Sequence, residues 1–289
     1  MNQHLSRRSF LSDAIAVGTW SMLPGSLLAA DDNQSPNTAL DFPLVDLHVH
    51  LDNSTLDRVL EVAGQRGVKF GIVEHAGTKE NQYPVVLSND AELKSYLARL
   101  DGKPVYKGIQ AEWLDWRGCF SAEVLGQLDY VLSDAMTIRG QDGKRVKMWE
   151  RGYEIGDQQT FMDRYVDWHV EIMATEPLDI FANLTWLPSA LVAEYDTLWT
   201  PVRMEKVIGA AIKYGVALEI SSSVKAPKIQ FLQMAKTAGA KFSLGSNGRY
   251  PNMGKLDYSL AMVRSLGLKK SDMFTPALSG QKAVQRRKL

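Results

Sequence analysis

Phe42-Pro43-Leu44-Val45-Asp46-Leu47-His48-Val49-His50 is the stretch that decides how this chain is read. An apolar run ends in two histidines one residue apart. Residues two apart on a strand point to the same face, so both imidazoles leave the strand end together. Such a pair is suited to holding a metal ion. The chain has five histidines. His4 falls in a segment read as an export signal, and His75 ends the next apolar run. Asp46 lies two residues before His48. It is either a carboxylate that orients the imidazoles or a strand-start residue.

Working outward, strand-like and helix-like segments alternate along the chain. Strands are expected at about residues 42–48, 68–74, 105–112, 129–134, 178–184, 216–221 and 240–246. Helices are expected at about 54–66, 90–100, 121–127, 159–176, 201–214, 227–238 and 255–266. Asn53-Ser54 and Ser88-Asn89-Asp90 read as helix caps, and Gly67, Gly215 and Gly239 as helix stops. This β/α alternation implies parallel strands wrapped by helices, an α/β barrel forming one domain over residues 42–289. No eighth strand follows Leu266. The basic end, Arg286-Arg287-Lys288, reads as a solvated tail. Residues 137–158 lack clear periodicity and read as a solvated loop, or as a lid leaving the catalytic end of the barrel.

Lysine and arginine balance aspartate and glutamate at 33 each, which argues against a nucleic-acid-binding surface. Ser6-Arg7-Arg8-Ser9-Phe10-Leu11 resembles a twin-arginine motif, and the broken apolar run from Ala14 to Ala30 completes a signal peptide over residues 1–30. That run is too interrupted to span a membrane. Residues 31–41 read as a linker. Export by the twin-arginine machinery to the periplasm or beyond is the expectation, and that route suits a protein folded around a metal. The lone Cys119 excludes an internal disulfide and reads as a buried small apolar residue.

In parallel barrels the active site lies at the C-terminal ends of the strands. The polar residues there are His48, His50, Glu74, His75, Glu112, Ser133, Asp134, Asn183, Glu219, Ser221, Ser246 and Asn247. Caps and core polar groups account for the serines, but poorly for three histidines with Glu112. Arg139 and Arg145 in the 137–158 segment, with Trp113, Arg249 and Tyr250 after strand ends, are candidates for holding a substrate. Core packing is an equal reading for Trp113. His169 sits in a strongly helical segment and reads as a packed helix residue.

The order of these segments resembles the PHP family, named for its polymerase and histidinol-phosphatase members. The resemblance covers about residues 42–280. It rests on Asp46-Leu47-His48-Val49-His50, Glu74-His75, the segment Gly108 to Glu112, Leu128 to Ser133, Ala217 to Ser221, and Leu244-Gly245-Ser246-Asn247. It implies a distorted seven-stranded β/α barrel that commonly holds two or three divalent metals. The departures matter as much. Histidines that the family places after the fourth and fifth strands are replaced here by Asp134 and Asn183. The family's final Asp and following His become Asn247 and Arg249. A further histidine expected after the first motif is absent, with Asp52 and Asp57 nearby. The retained set implies one metal per chain, held by His48, His50 and Glu112, with Asn247 or water, and Asp134 as a further oxygen. Mixed nitrogen and oxygen ligands suit zinc, manganese or iron. His75 is then a second ligand or a proton-transfer group, and Arg249 an anion holder. The implied activity is metal-dependent hydrolysis of a small phosphoester. Two other readings stand beside it: an amidohydrolase-type barrel, which shares the HxH motif, and a degenerate barrel that binds metal or ligand without turnover.

Overall fold

A computed structural model describes residues 40–140, 143–150 and 153–287. The segment read as an export signal and nearly all of the segment read as a linker lie outside them. Seven parallel strands form a nearly closed barrel, in the order β1 (Val45–Val49), β2 (Lys69–Ala76), β4 (Tyr106–Ala111), β5 (Tyr130–Ser133), β8 (Ile180–Phe181), β9 (Ala217–Ser221) and β10 (Phe242–Gly245). Each falls within three residues, at either end, of the segment expected from apolar runs. The first and last strands meet through Val49 and Gly248. There His50 N–H donates to Gly248 O at 2.9 Å, and Gly248 N–H donates to His48 O at 3.0 Å.

The helices between the strands begin and end where side-chain chemistry dictates. For α1 (Leu56–Arg66) the cap is Thr55, one residue past the expected pair, accepting from Arg58 N–H. Asn89 caps α2 (Asp90–Leu100) through Glu92 N–H. Helix α3 (Ala122–Leu125) is a single turn, and α4 (Gln158–Thr175) starts on Asp157. After the short α5 (Tyr195–Leu198), α6 (Pro201–Tyr214) opens with Thr200 as cap and proline in its first turn, where no N–H is missed. Gly67 and Gly215 stop α1 and α6 at φ 62° and 68°, a left-handed turn that glycine adopts without steric cost. Helices α7 (Ile229–Thr237) and α8 (Asp257–Leu266) complete the outer layer.

A β-bulge in β1 matters for the site. Asp46 pairs with Phe70 and Val49 with Ile72, so β1 carries one extra residue between them. The alternation of a regular strand is therefore broken between Asp46 and His48. Leu47 joins an interior cluster with Val73, Tyr130, Leu132, Ile180, Ala182 and Ala217. The Asp46 carboxylate does not orient an imidazole ring. It accepts from Ser246 N–H at 3.0 Å, Gly254 N–H at 2.9 Å and His48 backbone N–H at 3.1 Å, stitching β1 to the loop after β10.

Three features were not legible as elements. Val86–Leu87 (β3) pairs with the end of β2. Thr137–Arg139 (β6) and Arg145–Lys147 (β7) form an antiparallel hairpin inside the segment read as a solvated loop. That hairpin is strapped down: Arg145 donates to Asn81 Oδ1 at 2.5 Å, Asp115 at 2.9 Å and Glu80 at 2.9 Å, and Lys147 donates to Asn81 O at 3.0 Å. Of the basic end, Arg287 is not solvated tail either. A last turn, α9 (Ala283–Arg286), delivers Arg287 to the carbonyls of Met173 at 2.7 Å, Glu176 at 2.6 Å and Tyr214.

His169, on α4, is a packed helix residue. It is fully buried, stacks on Phe181 at 5.1 Å, and donates from Nδ1 to Tyr165 O at 2.7 Å. Burial lowers its pKa to about 4. As pH falls below the ordinary 6.5, the unfolded chain takes up a proton that the folded ring refuses until about 4. Its contribution to stability is complete above the upper value and drains away towards the lower, by on the order of 3 kcal/mol. His169→Phe keeps the ring and removes the titration. Its denaturation midpoint should vary less between about pH 7 and about pH 5 than that of the wild type. An equal variation in both proteins would take His169 out of the account.

Candidate metal centre

His50 follows β1, His75 lies near the end of β2, and Asp52 is two residues beyond His50. One donor atom from each lies within 4.8 Å of the others. The two imidazole rings stack at 4.7 Å with 21° between their planes. Both nitrogens of His50, Nε2 of His75 and Oδ1 of Asp52 are buried without a hydrogen-bond partner. A buried polar atom without a partner costs about 1–3 kcal/mol, so a convergence of them calls for an occupant. The donors fit a divalent transition metal: two imidazole nitrogens and a carboxylate oxygen.

The surroundings prepare this set. Burial holds the His50 pKa well below its ordinary value, aided by the nearby His75, His48 and Arg249. Burial lowers that of His75 to about 3, against the pull of Asp52 and with the push of Arg249. Both rings are thus neutral, as a ligand must be. His75 Nδ1 lies 2.7 Å from Glu112 Oε1. Tyr83 lies flat on His75, with ring centroids 3.6 Å apart and 6° between planes, and its hydroxyl donates to Glu112 Oε2 at 3.2 Å. Burial pushes the Glu112 carboxyl up to about 8. A cation among the donors favours the ionised carboxylate, which then accepts from Nδ1–H and leaves the Nε2 lone pair free. Asp52 is shared: its Oδ2 accepts from Arg249 Nε at 2.8 Å, leaving Oδ1 as the donor.

The other expected ligands adjoin this group but have their polar atoms bonded to other partners. His48 has both nitrogens engaged, Nδ1 with Glu219 Oε1 at 2.7 Å and Nε2 with Gln110 Oε1 at 3.0 Å. Burial is the largest influence and opposes charge on this ring, but Glu219, Asp46 and Gln110 together outweigh it and raise the pKa. A ring donating on both sides has no lone pair for a metal. Glu112 orients His75 rather than joining the donor group. Asp134 accepts from Asn183 Nδ2 at 3.0 Å and Met136 N–H at 2.9 Å, and burial raises its pKa to about 6. Asn247 Oδ1 accepts from Arg249 at 2.9 Å.

Among the expected substrate holders, Arg249 and Tyr250 line a cavity of about 700 Å³ beside the cluster. Arg139 pairs with Glu171 at the surface, and Arg145 is spent on the hairpin strap. Trp113 packs at 5.6 Å from Trp168, with the Arg145 guanidinium over its ring. Glu219 was visible only as a strand-end acid, and Asp52 only as an acid near the missing histidine. Their roles depend on partners far off in sequence: Glu219 on His48, Asp52 on Arg249.

No protein-family model matches the chain, and no curated protein matches it. Among solved structures the chain is similar to histidinol phosphate phosphatase of Lactococcus lactis subsp. lactis, complexed with zinc, L-histidinol and phosphate. The identity is 13%, the TM-score 0.54, and the match covers 85% of this chain and 99% of that one. An HpcH/HpaI aldolase of Desulfitobacterium hafniense matches at 16% identity and a TM-score of 0.36, over 78% of this chain and 91% of that one. At 13% identity the likeness to the phosphatase is one of fold.

Proposed function

We propose that the chain is a metal-dependent hydrolase of the PHP type that acts on a small phosphoester. The observation that carries this reading is the convergence of unpartnered, buried donors from His50, Asp52 and His75 at the strand ends of the barrel. The similar phosphatase, whose structure contains zinc and phosphate, supports the reaction class. His50, Asp52 and His75 would hold one zinc, manganese or iron ion, which supplies an acidified water and polarises a phosphoryl oxygen. Glu112 holds the proton of His75 Nδ1, and Tyr83 fixes the ring plane. Arg249 stands where the resemblance places a histidine. It brings a permanent positive charge to Asp52, which favours one metal over several and offers an anion-binding group at the cavity wall. Export through the twin-arginine route is part of the proposal, resting on Arg7 and Arg8.

Elemental analysis of protein purified without added metal, paired with phosphate release from a panel of small phosphoesters, tests the reading. About one transition metal per chain is expected, with phosphate release lost on chelation and restored by the metal. Metal-free protein that stays metal-free when zinc or manganese is offered would end the metal reading. The uncharged Asn247 and its bond to Arg249 favour a second reading, a barrel that binds without turnover. Bound metal with no phosphate release from any ester would select it.

A further inference from the structure

Beside the metal cluster, the structure carries a cavity of about 700 Å³ that the chemistry at His50, Asp52 and His75 does not account for. Its volume is that of a site for a whole small molecule rather than for a water or an ion. Arg249 joins the two. Its Nε bonds Asp52 of the cluster, and its side chain forms part of the cavity wall.

The rest of the lining has a consistent character. Lys225 and Lys255 add two more cations, and Asp257 is the only carboxylate among the lining residues. Lys255 donates to Asn252 Oδ1 at 2.7 Å, a neutral partner that leaves its charge uncompensated. Among the described residues no ion pair engages Lys225 or Lys255. By contrast, Lys79, Lys206 and Lys228 all pair with carboxylates at the surface. The remaining lining residues include the hydroxyls of Ser222 and Ser223 and the amides of Asn53 and Asn247. A pocket with this excess of positive charge and hydrogen-bonding groups selects an oxyanion.

We infer that this cavity binds a second anionic group of the substrate, a carboxylate held by Lys225 and Lys255 while the phosphoester lies beyond Arg249 at the metal cluster. The inference rests on the phosphoester reading above and narrows it. The substrate is a phosphate monoester whose alcohol portion carries a carboxylate. Cations at a partly open cavity act through water, so the preference should weaken as salt rises.

The test is a matched pair of probes that differ only in the distal group: 3-phosphoglycerate, with a carboxylate, and glycerol 3-phosphate, with a hydroxymethyl. Calorimetric titration of the metal-loaded, full-length mature protein gives a ratio of dissociation constants that needs no turnover. The carboxylate-bearing ester should bind at least about tenfold more tightly, the scale of a lost charge-assisted contact. The Lys225→Gln, Lys255→Gln double variant should bring the ratio close to one. Lys213→Gln, a lysine at the C-terminal end of α6 and outside the cavity lining, should leave it at the wild-type value. A ratio near one in the wild type, or a wild-type ratio in the double variant, would overturn the inference. Failure of the metal reading is seen separately, as absent metal in elemental analysis; the same two probes titrated without added metal then give the ratio by which the cavity is judged.

Discussion

Alanine at both His50 and His75 should strip the protein of bound metal, with affinity reduced by more than about a hundredfold. The two imidazoles supply all the nitrogen in the donor group. What remains is Asp52, and only its Oδ1, because Arg249 holds Oδ2 at 2.8 Å. A single oxygen beside a fixed guanidinium charge is a poor site for a divalent cation. His48→Gln should behave differently. His48 is tied to Glu219 and Gln110, so its loss should weaken the fold by leaving a buried carboxylate unpaired while bound metal persists. The pair of variants thus separates the donor group of the structure from the His48, His50 and Glu112 set that the sequence suggests. Calorimetry with zinc on each variant, checked by circular dichroism for folding, gives the comparison. Metal retained by the double variant would remove His50 and His75 from the centre. Affinity should also rise with pH through the region of about 8, where the buried Glu112 carboxyl gives up its proton. The ionised form is the one that orients His75, so metal must displace that proton below this value.

The barrel itself was legible because its signals are local. Apolar runs, helix-stop glycines and Ser/Thr/Asn caps lie within a few residues of the boundaries they set, and the strands and helices fall almost where those signals put them. The β6–β7 hairpin lacks such a signal. Each of its strands is three residues long with a single central apolar residue, Ile138 or Val146, and its anchorage is the long-range contact of Arg145 with Asn81, Glu80 and Asp115. The site divides in the same way. That histidines gather at the strand ends follows from strand periodicity. Which of them keeps a free lone pair does not, because that depends on the bulge in β1 and on partners brought by barrel closure. Glu219 is 171 residues from His48, and nothing near either residue announces their pairing. Arg287 is the same case: a basic tail in the sequence, yet the residue that ties α4 and α6 together through their carbonyls.

Gly108→Ala should destabilise the fold strongly, because the barrel interior below the site has no room for one more carbon. A Cβ at Gly108 would lie 2.5 Å from Cζ of Tyr130 and 2.8 and 2.9 Å from two other carbons of that ring. The ring cannot swing away. It crosses the interior from β5 over β4 and β2, and its hydroxyl donates to Leu47 O on β1 at 2.8 Å. Gly71 on β2 meets the same hydroxyl, so the ring is held on a track of two glycines. Overpacking of this kind costs about 3 kcal/mol or more, a large share of the roughly 5–15 kcal/mol that holds a domain folded. Tyr130→Ala alone should also destabilise, by about 3–5 kcal/mol, through the cavity it leaves. Together the two changes should be milder than their sum, since the second removes what the first collides with. Urea denaturation of the single and double variants measures that coupling. Strictly additive losses would mean that Tyr130 is not what excludes a side chain at Gly108. The same crowding recurs one layer higher, where a Cβ at Gly245 would run into the Glu219 carboxylate and reach within 3.0 Å of His48 Cβ. Two successive layers packed this tightly leave His48 and Glu219 no freedom to rearrange. His50 and His75 therefore stand above a floor that cannot yield, and their free lone pairs are held in place by it.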